Sequence, residues 1–385
     1  MAEHDSEFPR PDEVYLKGGL APAEAFVGAQ LAEVAADVLR NQAAEALQYS
    51  KTFGYWPLRK MIAEWLTEDG VPAVPDDILI VSGAKQNLDM CARTFCSPGD
   101  SILVTAPTYM NGLGIFRAVV GARFVAVPTD ERGMDVDAVE RLLAYADKVG
   151  LPLPKLIYDI PDFHNPLGIE MPEERREKLA RLAARFEIPI LEDNPYRFTR
   201  FEGEPLLPLK RFDDQGFVIS TGSFAKILGP GLRLGWVHAR REYLDRIAQL
   251  KSEGATAGLI QMMVYRYYTE VCPLQKHLQG ITQVLRRKRN VMLESLDQHL
   301  GGKATWSRPR GGYYIWCTLA ESIDTDALTR EAAEAGVSYY PGSLFFPLES
   351  KPSNHLRLSY SYEPDERLRV GVAALARAID QYLSR

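Results

Sequence analysis

A lysine, a serine and an arginine lie close together in a glycine-rich stretch of this chain. Residues 220–236 read STGSFAKILGPGLRLGW, so Lys226 stands between Ser223 and Arg233. The apolar run at 217–220 predicts a buried strand that ends in this loop, where ligands gather in open α/β sheets. A desolvated lysine can attack a carbonyl, and the other two side chains are donors that suit a phosphate. The stretch predicts an imine-forming amine beside a phosphate, and a solvated loop lysine is the alternative.

A carboxylate and a second arginine are also associated with apolar runs. Asp193 follows the apolar segment 188–192, which predicts that it is partly buried and needs a positive partner. A cationic ring nitrogen would be such a partner, and a helix cap or loop aspartate is the alternative. Arg357 lies in the apolar and aromatic segment 354–360. We expect it to face a carboxylate, with a structural ion pair as the alternative.

The order of apolar segments indicates the fold class. From about residue 78, short apolar strands alternate with helices, which predicts a mainly parallel sheet covered on both faces. The turn at 82–86 lies between a strand and a helix, where backbone N–H groups form an anion site. Long helices at 240–272 and 273–300 are expected to join this α/β domain to a second domain.

Composition excludes several classes of protein. The chain has 385 residues, 46% hydrophobic and 25% charged, with a formal net charge of −6. This length predicts two subdomains, and the absence of a basic excess argues against a nucleic-acid partner. The four cysteines match neither a redox pair nor a zinc motif, so no metal site is predicted. No apolar run approaches the roughly 20 residues of a membrane span, and no signal peptide is evident, so we expect a cytoplasmic protein.

Further short motifs occur in a recognisable order along almost the whole chain. They are GGL at 18–20, FGYWPLR at 53–59, SGAKQ at 82–86, APTY at 106–109, PDFHNPLG at 161–168, EDNPY at 192–196, SFAK at 223–226, PGLRLGW at 230–236, RGGY at 310–313, YPG at 340–342 and LRL at 356–358. Together they resemble the fold-type I pyridoxal-phosphate aminotransferases of class I/II, specifically the group that includes α-aminoadipate and kynurenine aminotransferases.

The resemblance implies a fold and a division into domains. The fold is α/β, with a mainly parallel sheet flanked by helices in a large cofactor-binding domain at 48–280. A smaller α+β domain combines residues 1–47 with residues 281–385. The resemblance also implies a homodimer with shared active sites, because Tyr55 would reach the cofactor phosphate of the neighbouring subunit.

The resemblance assigns a role to each candidate residue. Lys226 would be the internal aldimine lysine and the base that moves the α-proton. Asp193 would keep the pyridine nitrogen protonated, so that the ring withdraws electrons. The remaining cofactor residues would be Tyr196 and Asn165 at the ring 3-oxygen, Tyr109 stacked on the ring, and Gly83, Ala84, Lys85, Ser223 and Arg233 around the phosphate. The substrate carboxylate would contact Arg357, with Gly19 and Asn165 nearby.

Departures from the family pattern occur in three of these motifs. One is Asn194, where the family usually has aspartate or alanine, and this segment keeps the essential Asp193. The phosphate turn usually carries a hydroxyl or an amide where this chain has Ala84 and Lys85. One phosphate hydrogen bond is therefore lost or replaced by a lysine charge. The loop that usually reads QNPTG contains His164 and Leu167 here, and we expect His164 to support the site without acting as a catalyst.

The sequence favours one function and leaves two alternatives. The favoured function is transfer of an amino group between an L-amino acid and a 2-oxo acid with pyridoxal 5'-phosphate as cofactor. The first alternative uses the same carbanion for β- or γ-elimination, replacement or carbon–carbon bond formation. The second is a ligand-sensing regulator fused to a DNA-binding head, for which the 17 residues before Gly18 are too few.

Overall fold

The computed structural model of the protein describes residues 10, 12–347 and 352–384. The strands found in these residues are β1 (Val14–Tyr15), β2 (Ile78–Val81), β3 (Ser101–Ala106), β4 (Arg123–Asp130), β5 (Gly133–Met134), β6 (Leu156–Asp159), β7 (Ile190–Asp193), β8 (Val218–Ser223), β9 (Gly235–His238), β10 (Thr305–Trp306), β11 (Tyr314–Thr318), β12 (Val337–Ser338), β13 (Tyr340–Pro341) and β14 (His355–Ser359).

Helices cover the faces of these strands. They are α1 (Gly28–Asn41), α2 (Ala43–Ala46), α3 (Trp56–Glu68), α4 (Ala84–Phe95), α5 (Met110–Val120), α6 (Val136–Val149), α7 (Glu173–Phe186), α8 (Arg241–Ala248), α9 (Gly258–Arg266), α10 (Leu274–Leu300), α11 (Thr329–Glu334) and α12 (Asp365–Leu383). None of the helices in the described ranges is both long and apolar enough to cross a membrane.

The main sheet has eight strands in the order β2-β9-β8-β7-β6-β3-β4-β5. The central strands β8, β7, β6, β3 and β4 run parallel, and β9 runs antiparallel to both of its neighbours. Strands β2, β6 and β7 are buried along their whole length, as apolar runs covered on both faces should be. The predicted α/β class is therefore confirmed. Asp193 and Ser223 end adjacent parallel strands, so both lie at the same edge of the sheet.

A second sheet carries the other arginine of the predicted site. Strands β10, β11, β14 and β13 form this antiparallel sheet, and β1 pairs separately with β12. Arg357 lies on β14, opposite Trp316 of β11 and Tyr340 of β13. The predicted boundary between residues 280 and 281 falls within α10, and the division into domains stays a prediction.

The prediction of one helix over residues 240–272 is wrong. The segment forms α8 and α9, separated by a loop, and a π-helical turn over Tyr267–Val271 follows. Gly254 adopts a φ of +74° in the loop, which a continuing helix does not allow. The buried Lys251 side chain folds back instead, and its Nζ donates to the carbonyl oxygens of Thr52 and Ile80, each at 2.9 Å.

The loop between β6 and α7 is anchored by a buried arginine. The Arg176 guanidinium donates to Asp162 Oδ1 at 2.8 Å and to the Met171 carbonyl oxygen at 2.7 Å. Asp162 and Arg176 are both almost fully buried, where a charge needs a partner. These contacts fix both ends of the loop, and Asn165 lies between them.

Candidate active site

A cavity of about 260 Å³ lies between the carboxyl edge of the main sheet and the second sheet. Its walls include most of the residues that the sequence predicts for the site, namely Gly19, Ala84, Lys85, Tyr109, Asn165, Asp193, Tyr196, Ser223, Lys226, Arg233 and Arg357. Gly83 and Tyr55 are the two predicted residues that do not line it. The described residues include no group of histidine, cysteine, aspartate or glutamate side chains suited to a metal ion.

Lys226 occupies the middle of the cavity. It ends a single 3-10 turn, Phe224–Lys226, that directly follows β8. Its Nζ donates to the Gly19 carbonyl oxygen at 2.6 Å and lies 5.8 Å from the centre of the Tyr196 ring. Burial lowers the pKa of Lys226, and the nearby Arg357 charge acts in the same direction. The amine is therefore easier to deprotonate than a lysine in water.

Glycine is required at position 19. A Cβ atom there would lie 2.0 Å from the Tyr314 hydroxyl and 3.3 Å from Lys226 Nζ. Real Cβ atoms do not approach other atoms as closely as the first of these distances. The segment around Gly19 therefore reaches the lysine only because it has no side chain at this point.

Asp193 is 3% exposed and lies at the end of β7. Its Oδ2 accepts a hydrogen bond from the Tyr158 hydroxyl at 2.9 Å, whereas its Oδ1 is buried without a hydrogen-bond partner. Burial raises the pKa of Asp193 from 3.8 to about 6, and the Tyr158 bond and the Lys226 charge oppose that rise. The free Oδ1 is suited to a buried positive group.

Arg357 is 2% exposed on the opposite side of the cavity. It donates to Asn165 Oδ1 at 2.8 Å and to the Lys17 carbonyl oxygen at 2.6 Å, and its Nε is buried without a partner. Within the described part of the chain, no carboxylate forms an ion pair with this guanidinium. Its Cζ lies 3.9 Å from the centre of the Tyr314 ring, which holds the planar group in place.

Two tyrosines connect the lysine with the arginine. The Tyr196 hydroxyl donates to the Tyr314 hydroxyl at 3.1 Å, and both side chains are buried. Burial raises the pKa of Tyr196 well above its usual value. Burial also opposes ionisation of Tyr314, but the positive charges of Arg357 and Lys226 outweigh it and lower the pKa of Tyr314.

The start of α4 forms one end of the cavity. Gly83 precedes the helix with a φ of +88°, and a Cβ there would lie 2.8 Å from Arg233 Nη2. Arg233 donates to the Ser82 carbonyl oxygen at 3.1 Å. Ser223 is 4% exposed, and its Oγ accepts from the Ala225 amide at 3.1 Å. The first N–H groups of α4 have no partner within the helix, so this end suits an anion.

Tyr109 and Tyr55 occupy different surroundings. Tyr109 lines the cavity immediately before α5, and its hydroxyl accepts from Asn111 Nδ2 at 3.3 Å. Tyr55 immediately precedes α3, and its amide donates to Gln261 Oε1 at 2.7 Å. Its ring lies 5.8 Å from that of Tyr265. Within one chain, Tyr55 is therefore outside the site.

Two of the residues that depart from the family pattern, His164 and Leu167, lie behind the cavity wall, whereas Ala84 and Lys85 line the cavity. His164 is 2% exposed, and its Nε2 is 3.1 Å from Thr105 Oγ1. Burial lowers the pKa of His164 to about 3, so the imidazole is neutral. Leu167 belongs to an apolar cluster with Trp316, Phe345 and Phe346, and Tyr340 packs against this cluster and lines the cavity.

Sequence reasoning did not assign a role to two tyrosines of this site. Tyr158 donates to Asp193, and Tyr314 contacts both Tyr196 and Arg357. Tyr158 carries a hydroxyl inside the otherwise apolar run 156–158, and a buried hydroxyl usually needs a partner. The sequence therefore indicates that the Tyr158 hydroxyl has a hydrogen-bond partner, but it does not identify that partner.

The family description "Aminotransferase class I and II" matches residues 23–375. An aromatic-amino-acid aminotransferase of Thermococcus litoralis is 38% identical, over 97% of this chain and 89% of its own length. The chain belongs to the class I and II aminotransferases.

Solved structures agree with this assignment. A kynurenine aminotransferase of Pyrococcus horikoshii, in complex with PMP, is 32% identical with a TM-score of 0.91, and the match covers 97% of this chain and 92% of that one. An α-aminoadipate aminotransferase of Thermus thermophilus, in complex with N-(5'-phosphopyridoxyl)-L-leucine, is 34% identical with a TM-score of 0.90. That match covers 97% of this chain and 94% of the other.

This aminotransferase is a fold-type I enzyme that uses pyridoxal 5'-phosphate to move an amino group between an amino acid and a 2-oxo acid. The prediction of family, fold and cofactor is thus confirmed. The alternative of elimination, replacement or carbon–carbon bond formation is not favoured, because the relatives at 36–38% identity and the similar kynurenine aminotransferase structure are named for amino transfer.

The environment of Asp193 predicts a pH effect on the cofactor-free protein. The pKa of Asp193 is raised in the folded state from 3.8 to about 6. The protonated Asp193 therefore stabilises the folded protein fully at pH values below its unfolded pKa of 3.8. This stabilisation is lost as the pH rises through 6. Between pH 5 and pH 8, we expect the apo-protein to lose about 1.5 kcal/mol more unfolding free energy than its Asp193→Asn variant.

Urea unfolding at each pH measures this difference. Asp147→Asn, at an exposed position of α6, is the matched control and should follow the pH dependence of the wild type. Identical pH dependence of the wild type and the Asp193→Asn variant would show that burial does not perturb this carboxyl.

Proposed function

We propose that Lys226 is the amine of this aminotransferase that carries the cofactor and transfers the α-proton of the amino acid. One observation carries the proposal. Two buried charged groups, Asp193 and Arg357, each have a polar atom without a partner, and both line the cavity that contains the Lys226 amine. A ligand with one positive and one negative group would supply a partner for each of these two atoms.

The cavity fits pyridoxal 5'-phosphate. Asp193 Oδ1 is the acceptor that a protonated ring nitrogen requires, and the carboxylate would keep that nitrogen charged. Ser223, Arg233 and the first amides of α4 would hold the phosphate, while Tyr196 and Asn165 are available to the ring oxygen. When bound, the cofactor supplies an electron sink for the charge left when the α-proton departs.

Lys226 is suited to moving that proton. Its lowered pKa increases the fraction of neutral amine near neutral pH, and a base works best when its pKa is close to the operating pH. The Gly19 carbonyl oxygen accepts from Nζ and fixes its direction. The Tyr313 hydroxyl donates to the Lys226 carbonyl oxygen at 2.8 Å, and this bond restrains the backbone of Lys226.

Arg357 would bind the substrate α-carboxylate. The guanidinium is buried, its plane is fixed by Tyr314, and its Nε is free to donate. The substrate side chain would be apolar or aromatic, because Tyr15, Leu20 and Met110 line the same cavity. The names of two relatives, an aromatic-amino-acid and a kynurenine aminotransferase, support this preference.

Arg357 is tested with a matched pair of substrates, phenylalanine and 2-phenylethylamine, which differ by the carboxylate. Truncating one partner of a desolvated charge pair costs roughly 2–5 kcal/mol. Arg357→Ala should therefore lower kcat/KM for phenylalanine by about a hundredfold or more, with little effect on the amine. Arg357→Lys should recover only part of the loss, because an ammonium lacks the planar fork.

Two controls accompany this measurement. Arg181→Ala removes an exposed arginine of α7 and should leave both rates unchanged. The absorbance of the bound cofactor reports whether each variant still binds it. If Arg357→Ala slows both substrates equally, or if the folded variant binds no cofactor, the arginine does not recognise the carboxylate. Faster turnover of aspartate than of phenylalanine by the wild type would contradict the apolar side-chain preference.

We also propose that the enzyme is a homodimer in which Tyr55 reaches the neighbouring cofactor phosphate. Large apolar side chains near Tyr55 are exposed in the single chain: Leu47 is 69% exposed, Tyr49 95% and Trp56 52%. Exposed apolar side chains that form one patch mark an interaction site, and we expect a second subunit to cover these. Light scattering should give twice the 43.1 kDa mass of the chain. A monomeric mass for the active enzyme would contradict the proposal.

The location we propose is the cytoplasm. The four cysteines are free, and Cys91, Cys96 and Cys317 are buried, which suits a reducing compartment. Recovery of the active enzyme in the secreted fraction of its host would contradict this location.

A further inference from the structure

The phosphate end of the cavity contains more positive charge than the described residues neutralise. Lys85 and Arg233 both line the cavity, and both are exposed. Within the described ranges, neither side chain forms an ion pair with a carboxylate. Among the described residues, the Arg233 side chain donates only to the Ser82 carbonyl oxygen, which is uncharged. Two like charges at one cavity end favour a ligand group with more than one negative charge.

Side-chain hydrogen-bond donors are scarce at the same end. Ala84 begins α4 and has no hydroxyl to donate. Ser223 has one hydroxyl, and its Oγ already accepts from the Ala225 amide, so its hydrogen is the one that remains for a ligand. The next side chain along the helix that can donate is Lys85. Its ammonium has three donors on a flexible stem and acts as a point charge.

The Lys85 charge acts on the interior of the cavity. Burial is the largest influence on the pKa of Lys226 and lowers it, and the Lys85 charge acts in the same direction. Burial raises the pKa of Tyr314, and the Lys85 charge joins those of Arg357 and Lys226 in lowering it. An ammonium directed away from the cavity into water would be screened from these groups. The Lys85 side chain also lines the cavity that contains Lys226, so it can reach a ligand bound there.

We propose that Lys85 binds the phosphate of pyridoxal 5'-phosphate directly and replaces the hydroxyl that Ala84 lacks. The inference rests on the proposed function, since it takes Lys226 to be the attachment point of the cofactor. The phosphate would then lie between Lys85 and Arg233, at the start of α4, and its charge would neutralise both side chains. The alternative is that Lys85 binds a second carboxylate on the substrate.

Cofactor affinity separates these two roles without measuring turnover. Apoenzyme is titrated with pyridoxal 5'-phosphate and, separately, with pyridoxal, which has no phosphate. Lys85→Gln should weaken binding of the phosphorylated form by roughly three- to tenfold, as expected for an ion pair that keeps contact with water. Its affinity for pyridoxal should not change. Added salt should weaken wild-type binding more than binding by the variant.

Two further variants complete the test. Lys148→Gln removes an exposed lysine at the end of α6 and should bind both forms like the wild type. Ala84→Ser in the Lys85→Gln background should recover part of the affinity for the phosphorylated form, because it restores a hydroxyl donor. This recovery is specific to the phosphate and would not follow from a general loss of stability.

Each other outcome overturns the proposal. Equal weakening of both ligands would mean that Lys85 supports the fold of the cavity. Unchanged affinity for both, combined with a higher KM for dicarboxylic substrates only, would assign the lysine to a substrate carboxylate. If the wild type does not bind pyridoxal at Lys226, the proposed function is contradicted instead. The site of attachment distinguishes this outcome from the others.

Discussion

The site depends on two charged side chains that are buried without charged partners of their own. Transferring a charge from water to the protein interior is costly unless an opposite charge compensates for it. Asp193 has one bonded and one free oxygen, and Arg357 has a free Nε. The fold tolerates this arrangement because strands β7 and β14 fix both groups. Each group is stabilised by an opposite charge, so the cavity suits a ligand with charges of both signs.

Neighbouring residues hold the reacting groups between these two charges. The Gly19 segment approaches Lys226 closely because glycine has no Cβ to meet the Tyr314 hydroxyl. Tyr314 in turn packs on Arg357 and accepts from Tyr196. A change at any of these positions would therefore alter the surroundings of both Lys226 and Arg357. This coupling is consistent with an enzyme that must bind a substrate and move its α-proton at one place.

The sequence predicted the fold and most of the residues around the cavity, because both leave local signals. Apolar runs alternating with helices predicted the parallel sheet, and motifs placed Lys226 and Asp193 at its carboxyl edge. The bond from Tyr158 to Asp193 was not predictable, since it joins neighbouring strands across 35 positions. The break between α8 and α9 was also missed, because Lys251 bonds to distant carbonyl groups there.

The central claim is that Lys226, and no other lysine of the cavity, carries the cofactor. Borohydride reduction of the holoenzyme, followed by proteolysis and mass spectrometry, measures this directly because it fixes the pyridoxyl group to the amine that holds it. We expect to recover the group on the peptide containing Lys226. Recovery on the peptide containing Lys85, which is the other lysine of the described residues that line the cavity, would show that Lys226 is not the attachment point.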